Sequence, residues 1–365
     1  MRPDEAVHYV ELTRHVGARD SRGVVTALAA LAATRESPEC VADILRTHHL
    51  ISLTETAIAE PNGGPTLPAA LAEAIAARRP ASGVRPEAML DAFEDVRSAL
   101  AADGIPTLQL KGLLFAERLY GDLWRRPQHD IDVLVPRRRF RPATKVLGHL
   151  GYARDSYDLH SRTFLRGPVK VDLHRSLRWA PAYRVDERAV WGQVRVAHLA
   201  GHAVPTTSDE HTLLLLVLAI FEDVGQGMGR LKQLLDLLLL TRDVDATFDW
   251  AAFLGRRAGE RVLGVSVNVL ALVIDVFDAA AELPRLAEAL QPYRRSVRHG
   301  SREEALRLVM APRKDPANLA WFRRVYPGSF PLYLAFFWGS GFPANLRDPR
   351  RPPLWRTVAL ASRRG

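Results

Sequence analysis

Cysteine is nearly absent from this 365-residue chain: Cys40 stands alone. One thiol excludes an intramolecular disulfide and a cysteine-based metal cluster, and it fits a reducing, cytoplasmic compartment. Other signatures are missing as well. Histidines and acids show no zinc-type spacing, and there is no Gly-x-Ser-x-Gly nucleophile elbow. The glycines from Gly225 to Gly229 lack the Lys-Ser/Thr pair that a phosphate-binding Walker loop needs. Long hydrophobic runs are missing too. The apolar stretches between Glu210 and Phe277 each fall short of the roughly 20 residues of a membrane span, and Asp275 interrupts the longest. The start, Met1-Arg2-Pro3-Asp4-Glu5, has no apolar core after its charges and does not read as a secretory signal.

Lysine is scarce, so arginine supplies most of the net charge of +9 and the pI near 10. Such a surplus attracts phosphate, whether of a nucleotide, an RNA or a lipid head group. A genome rich in G and C, which favours arginine and alanine codons, produces the same bias, so charge alone names no partner. No basic run interleaved with aromatics traces a path for a single nucleic-acid strand. The apolar content of 47% and charged content of 25% are those of an ordinary globular protein.

The pattern of elements predicts an α+β protein. Val7, Val10, Leu12 and Val16 share a helical face, and Val24 to Ala33 is alanine-rich. Breakers follow at residues 60–65 and 79–83. Pro86 to Ala102 carries Met89, Leu90, Phe93, Val96 and Leu100 on one side of a helix, which Gly104 ends. From there strands alternate with helices. A strand at Thr107–Leu110 leads through Gly112 into a helix at Leu113–Tyr120. A strand at Asp130–Val135 precedes a helix at Arg139–Leu150, and a hairpin turns at Gly167-Pro168. Beyond Pro205 the chain reads as helices. The expected layout is a helical N-terminal region over 1–104, a small mixed sheet with flanking helices over 105–205, and a helical C-terminal domain over 206–365. Residues 325–346 carry no charge and are crowded with aromatics, with Arg323, Arg324 and Arg347 as flanks. That tail either packs on the helical domain or docks on a protein or membrane surface.

The chemistry concentrates between Lys111 and His174. In Asp130-Ile131-Asp132-Val133-Leu134-Val135 both carboxylates point to one face of a strand, while Ile131, Val133 and Val135 point to a buried face. Val171-Asp172-Leu173-His174 repeats the design. If the two strands are neighbours, three carboxylates converge, and their repulsion calls for a cation. Oxygen ligands beside phosphate suit magnesium, and two such ions serve in-line nucleotidyl transfer. Lys111, ahead of a helix N-terminus at Gly112, is a candidate for binding nucleotide phosphates. Arg126 is a candidate for a forked triphosphate contact, and Arg125 a poorer one. His174 and His160 either orient substrate or a carboxylate, or are satisfied core histidines. His129 faces away from the acids. Asp236 reads as a hydrogen-bond anchor on an apolar helix, with the cleft as its alternative.

This ordered set resembles the polymerase-beta-like nucleotidyltransferase superfamily, which carries a Gly-Ser or similar turn, an Asp-x-Asp strand and a third acid on a later strand. It is closer still to a bacterial group of uncharacterised nucleotidyltransferases. The likeness rests on Lys111-Gly112, Arg126, Asp130 to Val135 and Val171 to His174, with His160 and the helix Leu231 to Asp236 as weaker matches. The Gly-Ser pair of the wider superfamily is replaced here by Lys111-Gly112. The resemblance implies that Asp130, Asp132 and Asp172 are catalytic and hold Mg2+, as two ions, with Asp172 helping to activate the attacking hydroxyl. It implies a nucleoside triphosphate, ATP foremost, as co-substrate. The expected acceptor is a small molecule, peptide or protein in preference to a long nucleic acid. The alternative is a catalytically inactive nucleotidyltransferase-like module that binds a nucleotide or a protein.

Overall fold

The computed structural model describes residues 3–34, 37–59, 67–79, 84–126, 128, 130–157, 160–178, 183–312 and 315–326. The chain opens with α1 (Pro3–Ala18), α2 (Ser21–Thr34), α3 (Pro38–Thr47), α4 (Ile51–Ile58), α5 (Ala69–Ala77) and α6 (Pro86–Ala102). Next come β1 (Leu108–Gln109), α7 (Leu113–Tyr120), β2 (Ile131–Leu134), α8 (Phe140–His149), β3 (Ala153–Tyr157), β4 (Ser161–Arg166) and β5 (Val169–His174). A short α9 (Glu187–Gly192) leads to β6 (Arg195–Leu199) and β7 (His202–Thr206). The helices α10 (Asp209–Gly225), α11 (Leu231–Val244), α12 (Trp250–Gly259), α13 (Leu263–Phe277), α14 (Pro284–Leu290), α15 (Arg302–Met310) and α16 (Pro316–Val325) complete the described chain. The α+β expectation holds.

The seven strands form one mixed sheet in the order β3-β4-β5-β2-β1-β7-β6. β2 and β5 run parallel at its centre, which requires a crossover, and α8 lies on that connection. The face opposite the acids is apolar because every second residue of these strands is apolar. Ile131, Val133, Val171 and Leu173 are buried there against Phe93, Val96 and Leu100 of α6 and Ala143 and Leu147 of α8. Burial of such side chains contributes about 1.5–3 kcal/mol each before entropy is counted, and that anchors the two acid-bearing strands.

A second core unites segments far apart in sequence. Tyr9, Leu28, Leu45, Leu53 and Leu71 pack in one cluster with Leu218, Leu234, Leu237, Val269 and Phe277. Helices α1 to α5 therefore share a core with α10 to α16, and only α6 turns to the sheet. The β6–β7 hairpin is absent from the sequence reading, since Pro205 breaks the strand pattern. It survives because Pro205 sits opposite Val196 of the edge strand β6, while β7 meets β1 at Gln109↔Thr206. Among the described residues no helix is long and apolar enough to cross a membrane. Of the aromatic-rich stretch 325–346 only Val325 and Tyr326 are described. Val325 is buried, and Tyr326 meets Tyr183 and Phe221 edge-on. The rest of that stretch, like His129, lies outside the described residues.

Candidate active site

The parallel register of β2 and β5 sets Asp132 directly beside Asp172, and Leu134 beside His174. Asp130 stands one residue ahead of β2. Its side chain returns to the same face, so that one carboxylate oxygen from each of Asp130, Asp132 and Asp172 lies within 4.8 Å of the others. Asp132 is buried, with 2% of its side chain exposed, while Asp130 and Asp172 are partly open. The neighbouring strand adds a support: Thr163, paired with Asp172 across β4 and β5, donates its hydroxyl to Asp172 Oδ1 at 2.6 Å.

Two lysines face this cluster. Lys111 Nζ lies 3.6 Å from Asp132 Oδ2, and Lys170 Nζ lies 3.4 Å from Asp130 and 2.9 Å from Asp172. Lys170 precedes Asp172 by two residues on β5, so the strand alternation carries both to one face. Burial would push the Asp132 carboxyl up. Lys111, the His174 hydrogen bond and Lys170 outweigh it and hold that carboxyl well below the ordinary range. The Lys111 ammonium is in turn raised, chiefly by Asp132, so it stays charged. Gly112 turns the chain between β1 and α7 at φ 70° and ψ −116°, a backbone region open to glycine and little else. Lys111 is thereby aimed at the acids while α7 starts with its N-terminus beside them.

Residues 34–277 match the family described as "Uncharacterised nucleotidyltransferase". The chain belongs to this nucleotidyltransferase family. Among solved structures it is similar to the antibiotic-resistance factor ANT(2'')-Ia in solution, at 20% identity and a TM-score of 0.37, covering 48% of this chain and 96% of that one. The crystal structure of ANT(2")-Ia with adenylyl-2"-tobramycin matches at 17% identity and a TM-score of 0.36, over 47% of this chain and 96% of that one. A nucleotidyltransferase-like antigen from Paracoccidioides brasiliensis matches at 15% identity and a TM-score of 0.35, over 56% and 92%. No match is found among curated proteins.

In this nucleotidyltransferase the donor set suits a hard divalent ion. Three carboxylates converge, and Asp132 Oδ2 is buried with no hydrogen bond, only the Lys111 ammonium 3.6 Å away. A buried carboxylate oxygen that accepts no hydrogen bond can still take a cation at contact distance. Asp130, Asp132 and Asp172 are thus the residues that could hold such an ion.

The flanking candidates fall into two groups. His174 Nε2 bonds Asp132 Oδ1 at 2.9 Å, so its ring orients a carboxylate of the cluster. His160 stacks 5.5 Å from it, tilted, and takes Arg178 Nη1 on its own Nε2 at 3.1 Å. Burial, then the Arg178 charge, depress His160 well below the usual histidine range, so it is neutral. Arg126 lies apart from the acids. Its Nε and Nη2 fork onto Asp236 of α11 at 2.8 and 2.6 Å, and its Nη1 reaches Gln128 Oε1 at 2.6 Å. Tyr120 donates to the same Asp236 at 2.8 Å. The fork expected for a triphosphate is therefore occupied by a protein carboxylate, and Asp236 acts as the anchor its apolar helix suggested.

Sequence reasoning missed Thr163, Lys170 and Lys232. A usable signal was present. The chain has five lysines among 50 basic residues, and Lys111 and Lys170 touch the acids while Lys232 feels the charge of Asp130. Where arginine is the default cation, a lysine marks a site that wants a compact, movable charge.

Proposed function

We propose that this chain is an active, magnesium-dependent nucleotidyltransferase that moves a nucleoside monophosphate from a nucleoside triphosphate, ATP foremost, to a hydroxyl or similar group of a small-molecule, peptide or protein acceptor. The observation that carries the reading is the convergence of Asp130, Asp132 and Asp172 within 4.8 Å, with one buried oxygen of Asp132 accepting no hydrogen bond. An inert fold gains nothing from such repulsion.

In the reaction the acceptor oxygen bonds to the α-phosphorus, the bond from that phosphorus to the bridging oxygen breaks, and pyrophosphate departs. Bound magnesium would supply charge neutralisation on the phosphates and acidify the acceptor hydroxyl. The chain's own residues do the rest. Asp172, held by Thr163 on Oδ1 and by Lys170 on Oδ2, takes the hydroxyl proton or passes it to solvent. His174 fixes Asp132. Lys111, with the free N–H groups that open α7, binds the polyphosphate as its charge builds on the leaving group. Arg126 and Asp236 hold the loop that leads into Asp130. A nucleoside triphosphate substrate agrees with a cytoplasmic setting.

The rival reading, a nucleotide-binding module without chemistry, draws on Lys170, whose ammonium already bridges Asp130 and Asp172. One experiment separates the two. The protein is incubated with each nucleoside triphosphate, magnesium and an extract of its host cells, and pyrophosphate is followed. Release that disappears in Asp130→Asn and Asp172→Asn supports transfer. Magnesium-independent nucleotide binding without release, equal in wild type and both variants, supports the binding module.

A further inference from the structure

A cavity of about 730 Å³ lies between α3, α4 and α5 on one side and the first turn of α11 on the other. That size is usual for a small-molecule site. Its charged lining comprises Arg46, Arg78, Arg79 and Lys232 against a single carboxylate, Asp43, with His49 beside them. Arg78 is committed to Asp43 by a fork at 2.8 and 3.2 Å, and Arg79 to Glu55 at 2.7 Å. Arg46 makes a looser contact of 3.4 Å with Asp43. Lys232 makes no ion pair among the described residues, although it is only half-exposed. The wall that carries it is held firmly. His48, at the end of α3, accepts the Leu231 N–H on its Nδ1 and the Lys232 N–H on its carbonyl, both at 3.4 Å.

We propose that this cavity is an anion site that takes a phosphate or polyphosphate group. An uncompensated ammonium beside a loosely paired guanidinium, in a recess with surplus cations, is the chemistry that recognises phosphate. Burial, then the Arg126 guanidinium, bring the Lys232 pKa down to about 7, and a bound phosphate would restore its charge. That the anion belongs to a substrate rests on the transfer reading above; that the cavity binds one does not. The phosphate has two sources, the tail of the nucleoside triphosphate or a phosphorylated acceptor.

The test is calorimetric titration of inorganic tripolyphosphate into the full-length protein with EDTA present. Saturable binding is expected, weakened at least about tenfold in Lys232→Met and in Arg46→Gln. It should be unchanged in the control Arg137→Ala, whose arginine lies in the basic run at residues 137–139. ATP that competes with tripolyphosphate assigns the cavity to the nucleotide tail. ATP that binds alongside tripolyphosphate, while a sugar phosphate displaces it, assigns the cavity to the acceptor. Absence of saturable binding overturns the proposal, as does binding that Lys232→Met and Arg46→Gln leave intact. Either failure leaves pyrophosphate release, and with it the transfer reading, untouched.

Discussion

Two charged clusters lie at opposite ends of one loop, and they are finished to different degrees. Around Arg126 every strong donor has an acceptor. The guanidinium forks onto Asp236, its remaining arm reaches Gln128, and Tyr120 completes the carboxylate. Burial alone would weaken that cation and that acid, yet each holds the other charged. Around Asp132 three carboxylates share two lysines, and one buried oxygen accepts no hydrogen bond. Both clusters combine burial with charge. A completed network fixes a fold, whereas a network left one cation short is prepared to receive something.

The sharpest way to break this contrast is to leave the completed cluster half made. Arg126→Met leaves Asp236 charged and buried, with an expected loss of about 3–5 kcal/mol in urea unfolding. The double variant Arg126→Met, Asp236→Leu should recover most of it. The open cluster should respond differently. Asp130→Asn should lower the rate of pyrophosphate release roughly 10²–10³-fold, with the melting temperature close to wild type because that carboxylate is partly open to water. A melting temperature that falls as far as in Arg126→Met would erase the distinction between the clusters.

Acid probes the completed side by another route. His48 is buried as a neutral acceptor, and burial, then the Arg230 charge, bring its pKa down to about 4. In the unfolded chain it binds a proton near its ordinary value of about 6.5. Between those values the unfolded state holds more protons, so stability falls as pH drops through that window and is level above it. The His48 share by about pH 5 is about 2 kcal/mol, and His211, lowered to about 4 mainly by burial, acts in the same direction. Urea unfolding at about pH 7 and about pH 5 should show this slope, reduced in His48→Gln. The smallest expected effect concerns Lys170. If its ammonium occupies the place of a metal, Lys170→Met should bind magnesium about tenfold more tightly by calorimetry. A weaker or unchanged affinity would mean that Lys170 supports the acids without competing for the site.

Much of this arrangement is legible along the chain. Alternation in Asp130 to Val135 and Val171 to His174 announces which side chains face the core, because a strand has a period of two. The helices Leu113–Tyr120 and Pro86–Ala102 follow from their apolar spacing and their flanking glycines, and the structure returns them with the same bounds. The register that sets Asp132 against Asp172 is not local information. It depends on how β5 crosses back beside β2, which the shared apolar core decides.

Arg126 shows the limit most clearly. Alone in a loop before the acids it reads as a phosphate ligand, since its natural partner, Asp236, is 110 residues away. The same holds for Lys232, an ordinary cation on a helix until α3, α4 and α5 close a cavity over it. The sequence by itself determined the secondary structure, the apolar and polar faces, and the acids that gather, since each follows from short-range periodicity and side-chain chemistry. Only the tertiary structure decided which charges are paired off and which are left open, because pairing depends on distances between segments that sequence spacing does not encode.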